Sequence, residues 1–244
     1  MAGPTPESAR DSHNRVQREY FDTVDRPRLA VADTPYIRRH VDEVIRVGQF
    51  PPGAALLEIG AGLGKCTLPL LARGFDVTAN DLSPVLLERL RAAVPRPIPT
   101  IACDIIDIAA HVDGPFDGVV GFFVLHHLRD FEAIFRALVR VLRPGGRVAF
   151  CEPVAWNPLY YVQIACTPGM RFSGEPSLTS MRPGRLLPLM RRAGLLDVAS
   201  HPHGYFPPAL KNVAVGDRAE RWLERRAWLP FPHAFQVFTG LAPA

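Results

Sequence analysis

Glu58-Ile59-Gly60-Ala61-Gly62-Leu63-Gly64-Lys65 is the stretch of this chain whose residue types and spacing say most about chemistry. An apolar run, Leu56 to Ile59, passes into three alternate glycines and then into a helical pattern. Such a turn lets a ligand approach the main chain closely and offers it the free N–H groups of a helix start. The spacing departs from two familiar phosphate-binding patterns. A Walker-type loop needs glycine where Ile59 stands and a hydroxyl where Cys66 stands, and a dinucleotide fingerprint needs its third glycine where Lys65 stands. Two acids follow at the ends of later apolar runs. Asp81 lies about 20 residues after the first glycine, where a carboxylate accepts both hydroxyls of a ribose. Asp104 closes Ile101–Cys103, where it can accept an adenine amino group while Ile105 packs on the ring. Together these residues point to an adenosine-like ligand.

The elements that must hold these residues alternate between short apolar runs and amphipathic stretches. Runs at Ala55–Ile59, Phe75–Ala79, Pro97–Cys103, Phe116–Phe123 and Arg147–Glu152 predict strands, and 64–73, 84–94 and 130–142 predict helices between them. Ser83-Pro84 and Thr34-Pro35 are helix starts, a capping hydroxyl followed by proline at the first helical position. Val16, Tyr20 and Val24 predict the apolar face of an N-terminal helix. Beyond Pro153 the rhythm breaks, then resumes with a helix near 183–193 and strands near 195–201 and 234–239. Strands alternating with helices predict an α/β fold with a parallel sheet.

Composition narrows the class further. With 48% hydrophobic and 21% charged residues, the chain is an ordinary globular protein rather than a disordered one. The net charge of +4 is concentrated in the C-terminal part, where arginines alternate with Asp217, Glu220 and Glu224. That reads as a solvated helix face, so no nucleic-acid partner is expected. The longest run free of charge and proline, Gly118–Leu128, is shorter than the roughly 20 residues of a membrane span. The N-terminus carries no apolar signal segment, and Cys66, Cys103, Cys151 and Cys166 lie far apart without a C-x-x-C. A cytoplasmic protein with reduced thiols and no metal site is the expectation.

In this order, E-x-G-x-G-x-G, the acid Asp81 and the A-x-D ending at Asp104 resemble the class I S-adenosylmethionine-dependent methyltransferases. Phe116-Asp117-Gly118-Val119, Leu125-His126-His127-Leu128 and the Leu138–Gly146 segment leading to Glu152-Pro153 resemble their small-molecule branch. The resemblance spans about residues 50–155 in register and, more loosely, 185–240. It implies a doubly wound, Rossmann-like, seven-stranded, mostly parallel sheet with an antiparallel last strand. Residues 1–50 would form an N-terminal helical lid and 51–244 the catalytic domain, with an acceptor-side insertion at 154–182. The implied cofactor is S-adenosyl-L-methionine, leaving as S-adenosyl-L-homocysteine. Gly60, Ala61 and Gly62 would line its methionine part, with Glu58 near the ammonium. Asp81 and Leu82 would take the ribose and adenine edge, Asp104 and Ile105 the adenine. Phe122 would offer a carbonyl, and Tyr20 would reach the carboxylate from the lid.

Methyl transfer is a direct displacement, so alignment in a dry pocket is the main task, and a base is needed only where the acceptor must lose a proton. His127, more than His126, is the expected base, just past the fourth strand. Trp156, Tyr160, Tyr161, Met170 and Phe172 are expected to build an apolar acceptor pocket. The function expected is therefore methylation of an apolar small molecule, in specialised, natural-product metabolism, by a monomer or homodimer. Two alternatives keep the fold: a cyclase or isomerase that holds the cofactor without methyl transfer, and a non-enzymatic nucleotide-binding module.

Overall fold

The computed structural model describes residues 6–22, 31, 33–158, 161, 177–226 and 233–244. Two helices come first, α1 (Pro6–Asp22) and α2 (Pro35–Gly48). Thr34 caps α2 as its residue type demands, its hydroxyl accepting the Ile37 N–H at 3.3 Å, with Pro35 at the first helical position. The alternating region then runs β1 (Ala55–Ile59), α3 (Thr67–Ala72), β2 (Asp76–Asp81), α4 (Pro84–Ala93), β3 (Thr100–Ala102), β4 (Phe116–Phe122), α5 (Phe131–Val141) and β5 (Leu142–Pro153). After it come α6 (Pro183–Arg192), β6 (Leu196–His203), a one-turn α7 (Pro208–Lys211), α8 (Ala214–Glu224) and β7 (Phe235–Leu241). Ser83 caps α4 through the Leu86 N–H at 3.1 Å.

The strands form one sheet in the order β3-β2-β1-β4-β5-β7-β6. Pairing is parallel except at β7, which lies antiparallel between β5 and β6. Successive side chains on a strand face opposite ways, and both faces here are covered. Leu57, Val119 and Phe150 pack with α5 and α6, while Leu56, Val120 and Cys151 pack with α2. Covering both faces explains why the strands read as continuous apolar runs. Between β1 and β4 the strand order reverses, and the crevice at their carboxyl ends is where open α/β sheets bind ligands. Among the described residues, no helix is long and apolar enough to cross a membrane.

Several expectations are corrected. β5 starts at Leu142, so Pro144-Gly145-Gly146 lies within the strand; the irregular register against Phe116 and Gly118 and the positive φ of Gly145 absorb it. On α1, Val16 is exposed and Gln17 is buried, because the inner face of this helix looks onto polar strand ends rather than an apolar core. Glu220 is no solvated face residue. It is buried, accepts the Tyr205 and Phe206 N–H groups at 2.7 and 2.9 Å, and pairs with the buried Lys211.

Candidate active site

One cavity of about 630 Å³ opens at the carboxyl ends of β1, β2, β3 and β4, a size usual for small-molecule sites. Its floor is the glycine turn. Gly60 and Gly62 have φ of +65° and +55°, the left-handed region that favours glycine. A Cβ at Gly60 would stand 2.4 Å from Val124 Cγ2, so the β1 and β4 turns approach closely only because that atom is missing. A Cβ at Gly62 would meet nothing within 4 Å, leaving the main chain there open to a ligand.

Three acids meet this floor. Glu58 is buried and borders the cavity; the Thr67 hydroxyl donates to its Oε2 at 2.6 Å. Burial, with the Asp81 charge adding to it, pushes the Glu58 pKa up to about 8 against the opposing Thr67 bond. Asp81 Oδ2 accepts the Gly62 N–H at 2.8 Å and Oδ1 the Ser83 N–H at 2.9 Å, so this carboxylate also ties the glycine turn to the start of α4. Burial raises its pKa while those two donors oppose the shift. Asp104 is committed to the protein. Its Oδ1 accepts the Ile106 N–H at 2.9 Å, and its Oδ2 accepts from Arg10 Nε at 2.8 Å and Asn14 Nδ2 at 2.5 Å. Burial alone would raise the Asp104 pKa, but these donors together hold it below the usual carboxylate value.

α1 forms a wall of the cavity through His13, Asn14, Gln17, Arg18 and Phe21. It is fastened to the strand ends by the Asp104 bonds, by Ser83 donating to Asp22, and by His13 Nε2 at 3.1 Å from the His127 carbonyl. Tyr36 and Ile37 of α2 and Pro207, Pro208 and Ala209 of the β6–β7 crossover add an apolar side. None of these is among the site residues expected from the sequence. The spacing of His13, Gln17 and Phe21 four apart, and the Pro207-Pro208 helix start, were the available signals.

The turn after β4 holds a polar pair. Glu152, at the end of β5, accepts the Val124 and Leu125 N–H groups at Oε1, at 2.9 and 2.7 Å. Its Oε2 lies 2.6 Å from His126 Nδ1, with both residues buried. A carboxylate so placed accepts a hydrogen bond from Nδ1–H and favours the tautomer with its proton on Nδ1, in a ring that borders the cavity. His127 also borders the cavity, edge-on to Phe21 at 5.4 Å.

The sequence-based candidates divide accordingly. Glu58, Gly60, Ala61, Gly62, Asp81, Leu82, Asp104, Ile105, Phe122, His126 and His127 all border this cavity. Trp156 does not: it is 55% exposed, because the turn after β5 sends Val154, Ala155 and Asn157 inward instead. Tyr161 is also outside the cavity lining and donates to the Ala155 carbonyl at 2.6 Å. Tyr160, Met170, Phe172 and the side chain of Tyr20 lie outside the described residues.

Sheet order, glycine turn and the acids at the carboxyl ends of β1, β2 and β3 define a Rossmann-like fold of the methyltransferase type. Residues 57–150 match the family described as "Methyltransferase domain". Demethylmenaquinone methyltransferase of Mycolicibacterium gilvum is 33% identical over 124 residues, 51% of this chain and 51% of that protein. The Corynebacterium urealyticum protein of the same name is 37% identical over 101 residues, 41% of this chain and 42% of its own. The chain thus spans about half the length of the curated relatives it matches. N-methyltransferase NodS from Bradyrhizobium japonicum, solved with S-adenosyl-L-homocysteine, superposes with a TM-score of 0.62 at 18% identity, covering 95% of this chain and 99% of that one. Phosphoethanolamine N-methyltransferase 2 of Haemonchus contortus, with S-adenosyl-L-methionine, gives 0.63 at 16% identity, covering 93% and 60%. Residues 57–150 thus match a methyltransferase domain, on a fold shared with solved S-adenosylmethionine-dependent methyltransferases.

The residues present fit that cofactor. The open main chain at Gly62 is a cradle, and Gln17 Oε1 in the α1 wall is buried with no hydrogen-bond partner among the described residues. Glu58 suits an ammonium and Asp81 a pair of ribose hydroxyls.

Proposed function

We propose that this protein methylates an apolar small molecule, with His126 accepting the acceptor's proton. The observation that carries the reading is that His126, held by Glu152, shares one cavity with the glycine floor, Glu58 and Asp81, beside the apolar side of Phe21, Tyr36, Phe123 and Pro208. When bound, the cofactor supplies a sulfonium-activated methyl group. The chain supplies position, exclusion of water and a proton acceptor. α1 acts as the lid of residues 1–50, through its bonds to Asp104 and Ser83. The matched relatives are named for demethylmenaquinone, which supports an apolar acceptor. A role in natural-product metabolism depends on the acceptor's identity.

The test is incubation with S-adenosylmethionine and a panel of apolar phenols and hydroquinones, read by mass spectrometry. The expected result is S-adenosylhomocysteine in equal amount to a product heavier by one methylene. Cofactor binding with no S-adenosylhomocysteine from any acceptor would leave a protein that binds and does not transfer.

Cofactor binding is also expected to release a proton. With its folded pKa near 8, Glu58 carries a proton at neutral pH. An ammonium beside it needs the carboxylate, so below that pKa affinity falls about tenfold per pH unit. Calorimetry near pH 7, in two buffers of unlike ionisation enthalpy, should find about one proton released, and Glu58→Gln should abolish the release. Zero protons released by the unsubstituted protein would mean that Glu58 is already ionised or does not meet the ammonium.

A further inference from the structure

His40 of α2, Cys151 of β5 and His203 of β6 converge in the core between α2 and the sheet, away from the cavity lining. His40 Nδ1 lies 3.0 Å from His203 Nε2, Cys151 Sγ lies 3.5 Å from His40 Nδ1, and Sγ lies 3.9 Å from His203 Nε2. All three residues are buried, and the three atoms lie within 4.8 Å of one another. Their neighbours are aromatic: Tyr36, Phe123 and Phe235 ring His40. A polar cluster in such surroundings is costly unless its atoms are satisfied. Here the hydrogen bond between the rings uses one nitrogen of each, and His40 Nε2 has no hydrogen-bond partner among the described residues.

We propose that His40, Cys151 and His203 form a buried three-coordinate site for a thiophilic d¹⁰ cation, Cu(I) or Zn(II). Bond lengths of about 2.0 Å to nitrogen and 2.3 Å to sulfur, at trigonal to tetrahedral angles, require N–N edges of about 3.4 Å and N–S edges of about 3.6 Å. The observed triangle meets these with shifts of roughly half an ångström or less. Two imidazoles and a thiolate are the borderline-to-soft donors both ions take. Binding converts the Cys151 thiol to thiolate, releases its proton, and places a metal–ligand bond on each facing ring nitrogen. With Cu(I) the ion and thiolate sum to no net charge, which suits a dry core.

The site ties α2 to β5 and β6 behind the acceptor side of the cavity. Tyr36, which borders the cavity, packs edge-on against His40 at 4.4 Å. Phe123, also bordering it, donates its N–H to the Cys151 carbonyl at 2.8 Å. The ion would brace this wall without entering the reaction.

The experiment uses the full chain, stripped with a chelator and titrated separately with Cu(I) under anaerobic reducing conditions, with Zn(II), and with Co(II) as an optical probe. One equivalent of Cu(I) or Zn(II) is expected to resist gel filtration, and Co(II) should show a thiolate-to-metal charge-transfer band. Cys151→Ser and His203→Gln should lose the band and weaken binding at least 100-fold, while Cys103→Ser keeps both. Competition between the two ions decides which is preferred. Binding equal in the unsubstituted protein and Cys151→Ser would overturn the proposal. Should those variants fail to fold, the unsubstituted protein still decides: one equivalent of Co(II) without a thiolate band, or no retained metal at all, overturns it.

Discussion

His126→Ala is expected to lower turnover by about 10²–10⁴-fold on a hydroxyl or phenol acceptor, with the cofactor dissociation constant unchanged. The ring borders the cavity, and Glu152 Oε2, 2.6 Å from Nδ1, accepts the Nδ1–H and so favours the tautomer in which Nε2 is the proton-accepting nitrogen. Glu152→Gln tests this arrangement without emptying the site. The glutamine oxygen can keep the Val124 and Leu125 N–H bonds that shape the turn. Its NH₂ then faces His126 Nδ1 and imposes the opposite tautomer, with the proton on Nε2. The loss should approach that of His126→Ala while the melting temperature changes little. The double variant should be no worse than either single one, because the two residues act as a unit. Glu152→Ala would instead unfold the turn by leaving buried donors unpaired. His127→Ala should cost far less than His126→Ala. Near-normal rates from both His126→Ala and Glu152→Gln would eliminate the histidine base and leave the chemistry to alignment.

Asp81→Ala is expected to weaken cofactor binding about 30- to 1,000-fold, the loss of charge-assisted bonds to two hydroxyls worth roughly 2–4 kcal/mol. Its carboxylate also accepts the Gly62 and Ser83 N–H groups, so the substitution loosens the glycine turn as well as the ribose end. Asp81→Asn keeps one carbonyl oxygen and should fall between the two. Calorimetry gives the affinity and thermal denaturation shows how much of the loss is the turn. An unchanged dissociation constant would remove Asp81 from the cofactor site.

Much of this protein was legible in residues that act on their near neighbours. Thr34-Pro35 and Ser83-Pro84 start α2 and α4 because a hydroxyl reaching three residues on, and a fixed proline φ, are local chemistry. Ala55–Ile59 is β1 as read, and Gly60 and Gly62 sit at positive φ where a strand must turn into a ligand-facing loop. The residues expected to hold the cofactor border one cavity, since they lie at the ends of consecutive strands whose order in a parallel sheet follows from alternation. Tertiary structure alone decided what depends on register and on how elements face one another. Glu152 meets His126 across 26 residues, because β4 and β5 pair side by side. α1 turns Gln17 inward and Val16 outward, a rotation that no apolar stripe marks when the surface beneath is polar. Trp156 points to solvent and Glu220 to a buried lysine, against the plain reading of their side chains. No cysteine or histidine spacing announced a metal site, yet α2, β5 and β6 bring together His40 and Cys151 across 111 residues and His40 and His203 across 163. Contacts this distant in sequence are set by strand pairing and helix seating, which leave no local pattern in the chain.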